Sequence, residues 1–231
     1  MSVGASLPDA SLLSLPPSER PELAELAGSI GIELDPRQCE QLLQFADLLR
    51  RWNRVYNLTA IEHPSQVISH HLLDSLAIVP TLLDLARGAP ARVLDVGTGG
   101  GLPGVPLAIA APKLHVTLLD RVQKKSAFVQ QVKSELRLQN IEAVHSRVED
   151  YRGAVFDVIV SRAFSSLADF VRATRHLLAT SGHWCAMKGS MPSEEIQELE
   201  RVSPDVRVTR TVKLRVPRLD AERHLLLLEP S

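Results

Sequence analysis

The run Leu94 to Gly104, LDVGTGGGLPG, limits what this chain can fold into more than any other stretch. It opens inside Arg92-Val93-Leu94-Asp95-Val96, a short apolar run of the kind that forms a buried strand. Gly97, Gly99 and Gly101 then stand at alternate positions, with Gly100 and Gly104 beside them. Glycine is needed where backbone turns sharply, or where a ligand must approach with no Cβ in the way. A plain strand-to-helix turn accounts for one such glycine, hardly for five. A strand passing through this kind of loop into a helix opens a doubly wound α/β domain, with helix N–H groups and a positive dipole end turned to the ligand.

The remaining rhythm agrees. Leu114 to Asp120 reads as a second strand, Ile141 to His145 as a third, Val155 to Ser161 as a fourth and Gly182 to Met187 as a fifth. Helical stretches lie between them, notably Gln123 to Leu138, Leu167 to Leu178 and Ser193 to Arg201. Alternating strands and helices imply right-handed βαβ units and a mostly parallel sheet. The end differs: Val206 to Val216 and Arg223 to Leu228 are strands joined by a link too short for a crossover helix. If they are neighbours they run antiparallel. A parallel sheet finishing in an antiparallel hairpin suits a methyltransferase better than a dehydrogenase.

The sequence predicts three units, two of them ahead of the glycine loop. Residues 1–17 are rich in Ser and Pro and read as a mobile tail. Residues 18–88 read as a helical cap, and residues 89–231 as the α/β domain. Within the cap a short helix runs from about Ser18 to Gly28. Asp35-Pro36 then offers an N-cap followed by proline at the first helical position. Leu42, Phe45, Leu49, Trp52 and Tyr56 keep helical spacing after it. A third helix is expected after Pro64, with Ile68, Leu72, Leu76, Val79 and Leu83 on one face, ending near Gly88.

Composition narrows the partners. With 45% hydrophobic residues and a formal net charge of -1, the chain affords one packed core with an appendage and no large positive excess. Basic residues still cluster locally: Arg50, Arg51 and Arg54; Arg121, Lys124 and Lys125; and Lys188, Lys213, Arg215, Arg218 and Arg223. Such runs are either solvated faces or, if they converge, a phosphate track. Cys39 and Cys185 belong to no CxxC pair or His/Cys cluster, so no metal site is expected and both thiols are expected reduced. Met1 to Leu15 carries no basic leader or long apolar run, and no stretch approaches the ~20 apolar residues of a membrane span. A soluble cytoplasmic protein, working as a monomer, is expected.

Two ligands compete for the loop. Gly99 to Gly104 matches the dinucleotide pattern G-x-G-x-x-G, with the acid Asp120 about 20 residues on. Pro103 and Pro106, however, crowd the helical turn whose N–H groups a pyrophosphate would need, and Asp95 sets an acid where a phosphate is unwelcome. An acid there suits the cationic methionine end of S-adenosyl-methionine (SAM). Asp120, ending the second strand, can accept both ribose hydroxyls; capping the next helix is an equally natural role. Ser146-Arg147-Val148-Glu149-Asp150 lies beside the expected adenine pocket, where Glu149 or Asp150 is a contact or a solvated loop charge.

These residues make the sequence resemble the small-subunit ribosomal RNA guanine-N7 methyltransferases called RsmG or GidB, from about Leu34 to Leu228. The matching pieces are Trp52-Asn53 with Tyr56-Asn57-Leu58-Thr59, His71 with Leu73-Asp74-Ser75, and Asp95 to Gly104. Further on they are Ser146-Arg147-Val148-Glu149, Ser161-Arg162-Ala163-Phe164 and Glu222-Arg223-His224-Leu225. Gly100 departs from the family, which often has proline or alanine there. The resemblance implies a class I SAM-dependent methyltransferase fold, SAM as cofactor and small-subunit RNA, within the small ribosomal subunit, as partner. It implies cofactor contacts at Gly97, Leu102, Val148, Glu149 and Arg162, added to Asp95, Gly99, Gly101 and Asp120 from the loop reading. The N-terminal helices and the loop after the fourth strand would bound the RNA site.

Methyl transfer from a sulfonium is an in-line displacement governed by alignment. Guanine N7 carries an unprotonated lone pair at neutral pH, so no general base is required. The sequence agrees by omission. Val160 to Phe164 replaces the Asn/Asp-Pro-Pro-aromatic motif of amine methylation, and Gln38 and Trp184 precede the cysteines where covalent pyrimidine chemistry uses Pro-Cys. Arg162 is the expected positioning residue: its guanidinium grips a methionine carboxylate or an RNA phosphate, or else pairs with Asp157 or Glu149. Phe164 stacks on a base or packs under the loop. Asn53, Asn57, His71 and Asp74, with Lys188 and Arg223, are the expected RNA-side residues, helix capping and interhelical hydrogen bonds being the alternative for the first four.

Overall fold

The computed structural model of the chain describes residues 19–59 and 64–231. The tail expected at 1–17 lies outside the described residues. The chain begins with helices α1 (Glu19–Gly28) and α2 (Pro36–Tyr56). Asp35 caps α2 as its sequence suggests: its Oδ1 accepts from the Gln38 backbone N–H at 2.8 Å, while Gln38 Oε1 accepts from the Asp35 N–H at 2.9 Å. Gln38 also reaches out of the helix, donating to the carbonyls of Ile109 and Ala110 at 2.9 and 3.2 Å. Leu42, Phe45 and Leu49 form the buried stripe of α2, and Trp52 packs on Phe128 with ring centroids 5.4 Å apart.

The single helix expected after Pro64 is instead broken. It runs as α3 (Pro64–Val67), a π-helical turn (Ile68–Leu73), α4 (Asp74–Leu76) and, after a turn, α5 (Val79–Leu85). A π turn inserts an extra residue and rotates the side chains beyond it. Leu76 and Val79 beyond it stay buried as expected, Leu83, expected on the same face, is exposed, and His71, Asp74 and Ser75 are buried too.

The α/β part comes next as β1 (Ala91–Val96), α6 (Gly104–Ala110), β2 (Leu114–Asp120), α7 (Gln123–Glu135), β3 (Ile141–His145) and β4 (Phe156–Ser161). It continues with α8 (Leu167–Thr174), β5 (Leu178–Lys188), α9 (Ser193–Val202), β6 (Val206–Lys213) and β7 (His224–Pro230). The helix expected over 167–178 stops at Thr174, and β5 starts at Leu178 rather than Gly182. Seven strands form one sheet in the order β3-β2-β1-β4-β5-β7-β6. Strands β1 to β5 pair in parallel; β7 enters between β5 and β6 and runs antiparallel to both.

Period-two burial on the central strands feeds two cores. Val93, Val116, Val160, Cys185, Leu225 and Leu227 face one side, with α1, α2, α4 to α7 and the turn between them over it. Leu94, Ile159, Trp184, Leu226 and Leu228 face the other, covered by α8 and α9. The N-terminal helices thus share a continuous apolar cluster with the sheet, which closes one whole face and brings α4 to the strand ends. Cys39 and Cys185 are both buried free thiols, burial pushing Cys185 up to about 12. Among the described residues no helix is long and apolar enough to cross a membrane, and no group of three His, Cys, Asp or Glu could hold a metal.

Candidate active site

Strands β1 and β4 are neighbours whose following helices cover opposite faces, so a crevice opens at their carboxyl ends. The loops after them meet there. Gly97 has φ 72°, and a Cβ built on it would lie 2.8 Å from the Ala163 Cβ. Glycine is therefore what lets the loop after β1 touch the loop after β4. Ser161 fastens the junction: its hydroxyl donates to the Val96 carbonyl at 2.8 Å and accepts from the Ala163 N–H at 3.0 Å. Sequence reasoning passed over Ser161, although it opens the Ser-Arg-Ala-Phe piece.

Asp95 holds the glycine loop from inside. Its Oδ2 accepts from the Thr98 hydroxyl at 2.6 Å and from the Gly104 N–H at 2.9 Å, tying one end of the loop to the other. It is fully buried, and burial raises its carboxyl to about 6 against the lowering effect of those two hydrogen bonds. Its Oδ1 has no hydrogen-bond partner among the described residues. The expected place beside the methionine end thus becomes, in the structure, a buried brace beneath the loop.

Asp120 neither caps α7 nor lies free. Its Oδ2 accepts from the Gly99 N–H at 3.0 Å and its Oδ1 from the Val122 N–H at 2.9 Å, with Lys125 Nζ 3.7 Å from Oδ2. Helix α7 begins beyond it, with Val122 in the cap position and no side-chain cap. The carboxylate joins the glycine loop to the start of α7 at the lip of a cavity of about 360 Å³. Gly97, Val148, Glu149 and Phe164 line that cavity with it.

Leu119 and Val148 give this cavity an apolar wall, and its lining also includes Gly97 and an exposed acid, Glu149, whose partner is Arg147 at 3.7 Å. Phe164, expected to stack on a base or to pack under the loop, stands in the wall of this cavity and packs on Phe170, ring centroids 5.3 Å apart. Gly99, Gly101 and Leu102 do not line it. Gly101 has φ 79° and packs against Val105, and Leu102 is buried under the loop.

Arg162 is also absent from that cavity's walls. It pairs with neither Asp157 nor Glu149: its Nη1 lies 3.3 Å from Asp74 Oδ2. Asp157 instead accepts from the Arg92 N–H at 2.8 Å. The second oxygen of Asp74, Oδ1, accepts from Arg223 Nε at 2.9 Å. Asp74 is 1% exposed, so it holds two guanidiniums and meets no solvent. Asp74, Arg162, Lys188, Arg223 and His224 line a second pocket of about 270 Å³ beside the first.

Most of the expected RNA-side residues turn out to build the cap. Asn53 is buried and its Oδ1 accepts from the Thr59 N–H at 2.7 Å. Asn57 is the left-handed C-cap of α2, φ 51°, its N–H donating to the Asn53 carbonyl. His71 Nε2 lies 3.0 Å from the Thr59 hydroxyl; burial first, then the Arg162 charge, pulls its imidazole down to about 4. Together they pin residues 57–59. Lys188 donates to Glu195 at 2.7 Å and to the Phe164 carbonyl at 3.1 Å, which makes it a strut between β5, α9 and the loop after β4. Lys213 pairs with Glu222 and Arg218 with Glu22, so neither is a bare cation.

Comparison with known proteins agrees with this geometry. A family model described as rRNA small subunit methyltransferase G matches residues 38–226. The ribosomal RNA small subunit methyltransferase G of Ectopseudomonas mendocina is 52% identical over 211 residues, 91% of this chain and 95% of its own length. Among solved structures, a SAM-dependent methyltransferase from Aquifex aeolicus superposes with a TM-score of 0.55 at 18% identity, covering 74% of this chain and 96% of its own. One from Thiobacillus denitrificans, in complex with S-adenosyl-L-homocysteine, gives 0.52 at 13% identity, covering 80% and 97%. The fold is that of SAM-dependent methyltransferases, and the chain belongs to the rRNA small subunit methyltransferase G family.

Proposed function

We propose that this chain transfers a methyl group from SAM to N7 of a guanine in small-subunit ribosomal RNA, in the cytoplasm and on RNA presented by the small subunit. The single observation that carries the choice of atom is the state of the site's proton acceptors. Both oxygens of Asp74 are engaged by arginines. Asp95 is sealed beneath the glycine loop, and His71 is buried against Thr59. Asp120 already accepts two backbone N–H groups. None of these four is placed to take a proton from an incoming hydroxyl or amine. Glu149, exposed at the cofactor cavity with Arg147 at 3.7 Å, is the acid of the site left unenclosed, and a transfer to guanine N7, which has no proton to give, does not call on it.

The residues fit the cofactor as a set. Gly97 admits the adenosyl group without a Cβ, Asp120 stands at the lip for the ribose hydroxyls, and Val148 and Glu149 bound the base. When bound, SAM supplies an electrophilic sulfonium methyl. The chain's part is alignment. Asp95 and Ser161 fix the two loops, and Arg162, held by Asp74, positions charge between cofactor cavity and second pocket.

Methylation at N7 leaves a positive ring that is cut by aniline after borohydride reduction. Purified protein, SAM and small subunits from cells lacking it are expected to give one new cleavage site. Methyl groups found on an exocyclic amine or ribose hydroxyl overturn the assignment.

A further inference from the structure

We propose that the second pocket seats a backbone phosphate of the acceptor RNA strand, gripped by Arg223, and that Asp74 is the positioning residue that aims it. This deepens the proposed RNA methylation and rests on it.

The pocket lies where four separate parts of the chain meet: Asp74 from the cap, Arg162 after β4, Met187 to Gly189 at the end of β5, and Leu214, Arg223 and His224 from the β6–β7 hairpin. Its chemistry is cationic. Against the one lining carboxylate stand Arg162, Arg223 and Lys188, and Lys188 is already answered by Glu195. One positive charge therefore remains unbalanced, in a partly enclosed space next to the cofactor cavity.

A base fits this lining poorly. Guanine's pairing edge donates N–H groups and needs an acceptor, yet both oxygens of Asp74 face arginines, and the O6/N7 edge that arginine could bind has to face the methyl donor in N7 transfer. No Phe, Tyr or Trp lines the pocket to stack on a ring. A phosphate needs the opposite, donors and positive charge.

Arg223 is presented for that role. Its Nε is fixed on Asp74 at 2.9 Å and its Nη1 on the Glu222 carbonyl at 2.9 Å, which leaves the Nη2 group outside these bonds. Gly189 keeps the approach open, since even a Cβ there would lie 4.0 Å from Arg223 Nη1. Arg162, on the other oxygen of Asp74, has its buried Nη1 in ion-pair range but without a hydrogen bond. Asp74 thus fixes the Arg223 guanidinium by a hydrogen bond and keeps Arg162 beside it by charge.

The test is equilibrium binding to small subunits purified from cells lacking the protein, so it does not depend on which atom is methylated. Each lost phosphate contact on single-stranded RNA lowers the slope of log affinity against log salt by about 0.7. Arg223→Ala is expected to lose roughly that slope and to weaken subunit binding, with SAM affinity by calorimetry within about twofold of wild type. Arg223→Lys, which keeps the charge, is expected to restore the slope. Asp74→Asn is expected to raise KM for subunits more than it lowers kcat, as misaimed cations would. Arg223→Gln keeps a donor to Asp74 without charge, and carries the test should Arg223→Ala fail to fold. An unchanged slope in both uncharged variants overturns the phosphate seat. SAM binding weakened as much as RNA binding overturns it too, by giving the pocket to the cofactor's carboxylate. A wild-type chain that binds no subunit overturns the RNA reading itself, and this inference with it.

Discussion

At the scale of single residues, two groups in and beneath the glycine loop carry predictions. Gly97 combines φ 72° with a 2.8 Å approach to Ala163 and a place in the cavity wall. Gly97→Val is therefore expected to abolish SAM binding by calorimetry, with about 1–3 kcal/mol of stability lost to backbone strain. Adding Ala163→Gly is expected to recover part of that stability and none of the binding, because the new side chain still fills the cavity. Asp95 makes the second prediction. Its carboxyl is raised to about 6 by burial, so its contribution to stability is full below the ordinary carboxylate range and is lost as pH rises through about 6. Asp95→Asn cannot titrate. From about pH 4 to about pH 7 the wild type is expected to lose up to about 3 kcal/mol relative to this variant, measured by urea unfolding at each pH. Parallel pH profiles refute the buried, strained carboxylate.

At the scale of elements, the capping box of α2 also serves a neighbour. Asp35→Ala removes one N-terminal acceptor and is expected to cost about 1 kcal/mol. Gln38→Ala removes its half of the box and also the donor that reaches the carbonyls of Ile109 and Ala110 at the end of α6. It is expected to cost about 2 kcal/mol by denaturant unfolding, more than Asp35→Ala. The double variant should cost less than the sum, because both single changes break the same box. An equal loss for the two single variants means that the bridge to α6 contributes nothing. The broken helix over 64–85 is the other lesson at this scale. Its apolar spacing reads as one helix, but a π turn breaks it, His71 and Asp74 are buried, and Asp74 meets Arg162 and Arg223.

At the scale of the whole molecule, the cap is half of a core. Phe45 and Leu49 of α2, Leu72 and Leu76 beside it and Val93, Val116 and Val160 of the sheet belong to one buried cluster. A chain of residues 89–231 alone would expose that face of the sheet to water. It is expected to lose cooperative unfolding and near-ultraviolet circular dichroism and to bind a hydrophobic dye, as collapsed chains with unfixed packing do. A truncated chain that unfolds in one sharp transition refutes this account. The Asp74 cluster depends on the same packing, since only a cap docked on the sheet can bring Asp74 to arginines that lie 88 and 149 residues further along the chain.

Local sequence is enough for the order of the strands, the glycine loop and the family, but not for the start of β5, which opens at Leu178, where the sequence reads as the end of a helix. Strand β2 at 114–120 falls where its apolar run places it, because burial on both faces of a parallel sheet leaves a nearly continuous local signal, and the edge strand β3 falls at 141–145 as its sequence suggests. Gly97, Asp120, Val148 and Glu149 gather at one cavity because they close consecutive strands on one edge of the sheet, an arrangement that alternation alone implies. What each polar side chain answers to was settled only by packing. Asn53, His71 and Lys188 look like ligands for RNA in a one-dimensional reading, and each proves to satisfy a partner in the fold. Asp95 and Asp120 carry the same carboxylate and both are buried, but one is sealed under the loop and the other lines a cavity. A polar group's role is set by which donors and acceptors surround it once water is excluded, and those neighbours come from distant parts of the chain.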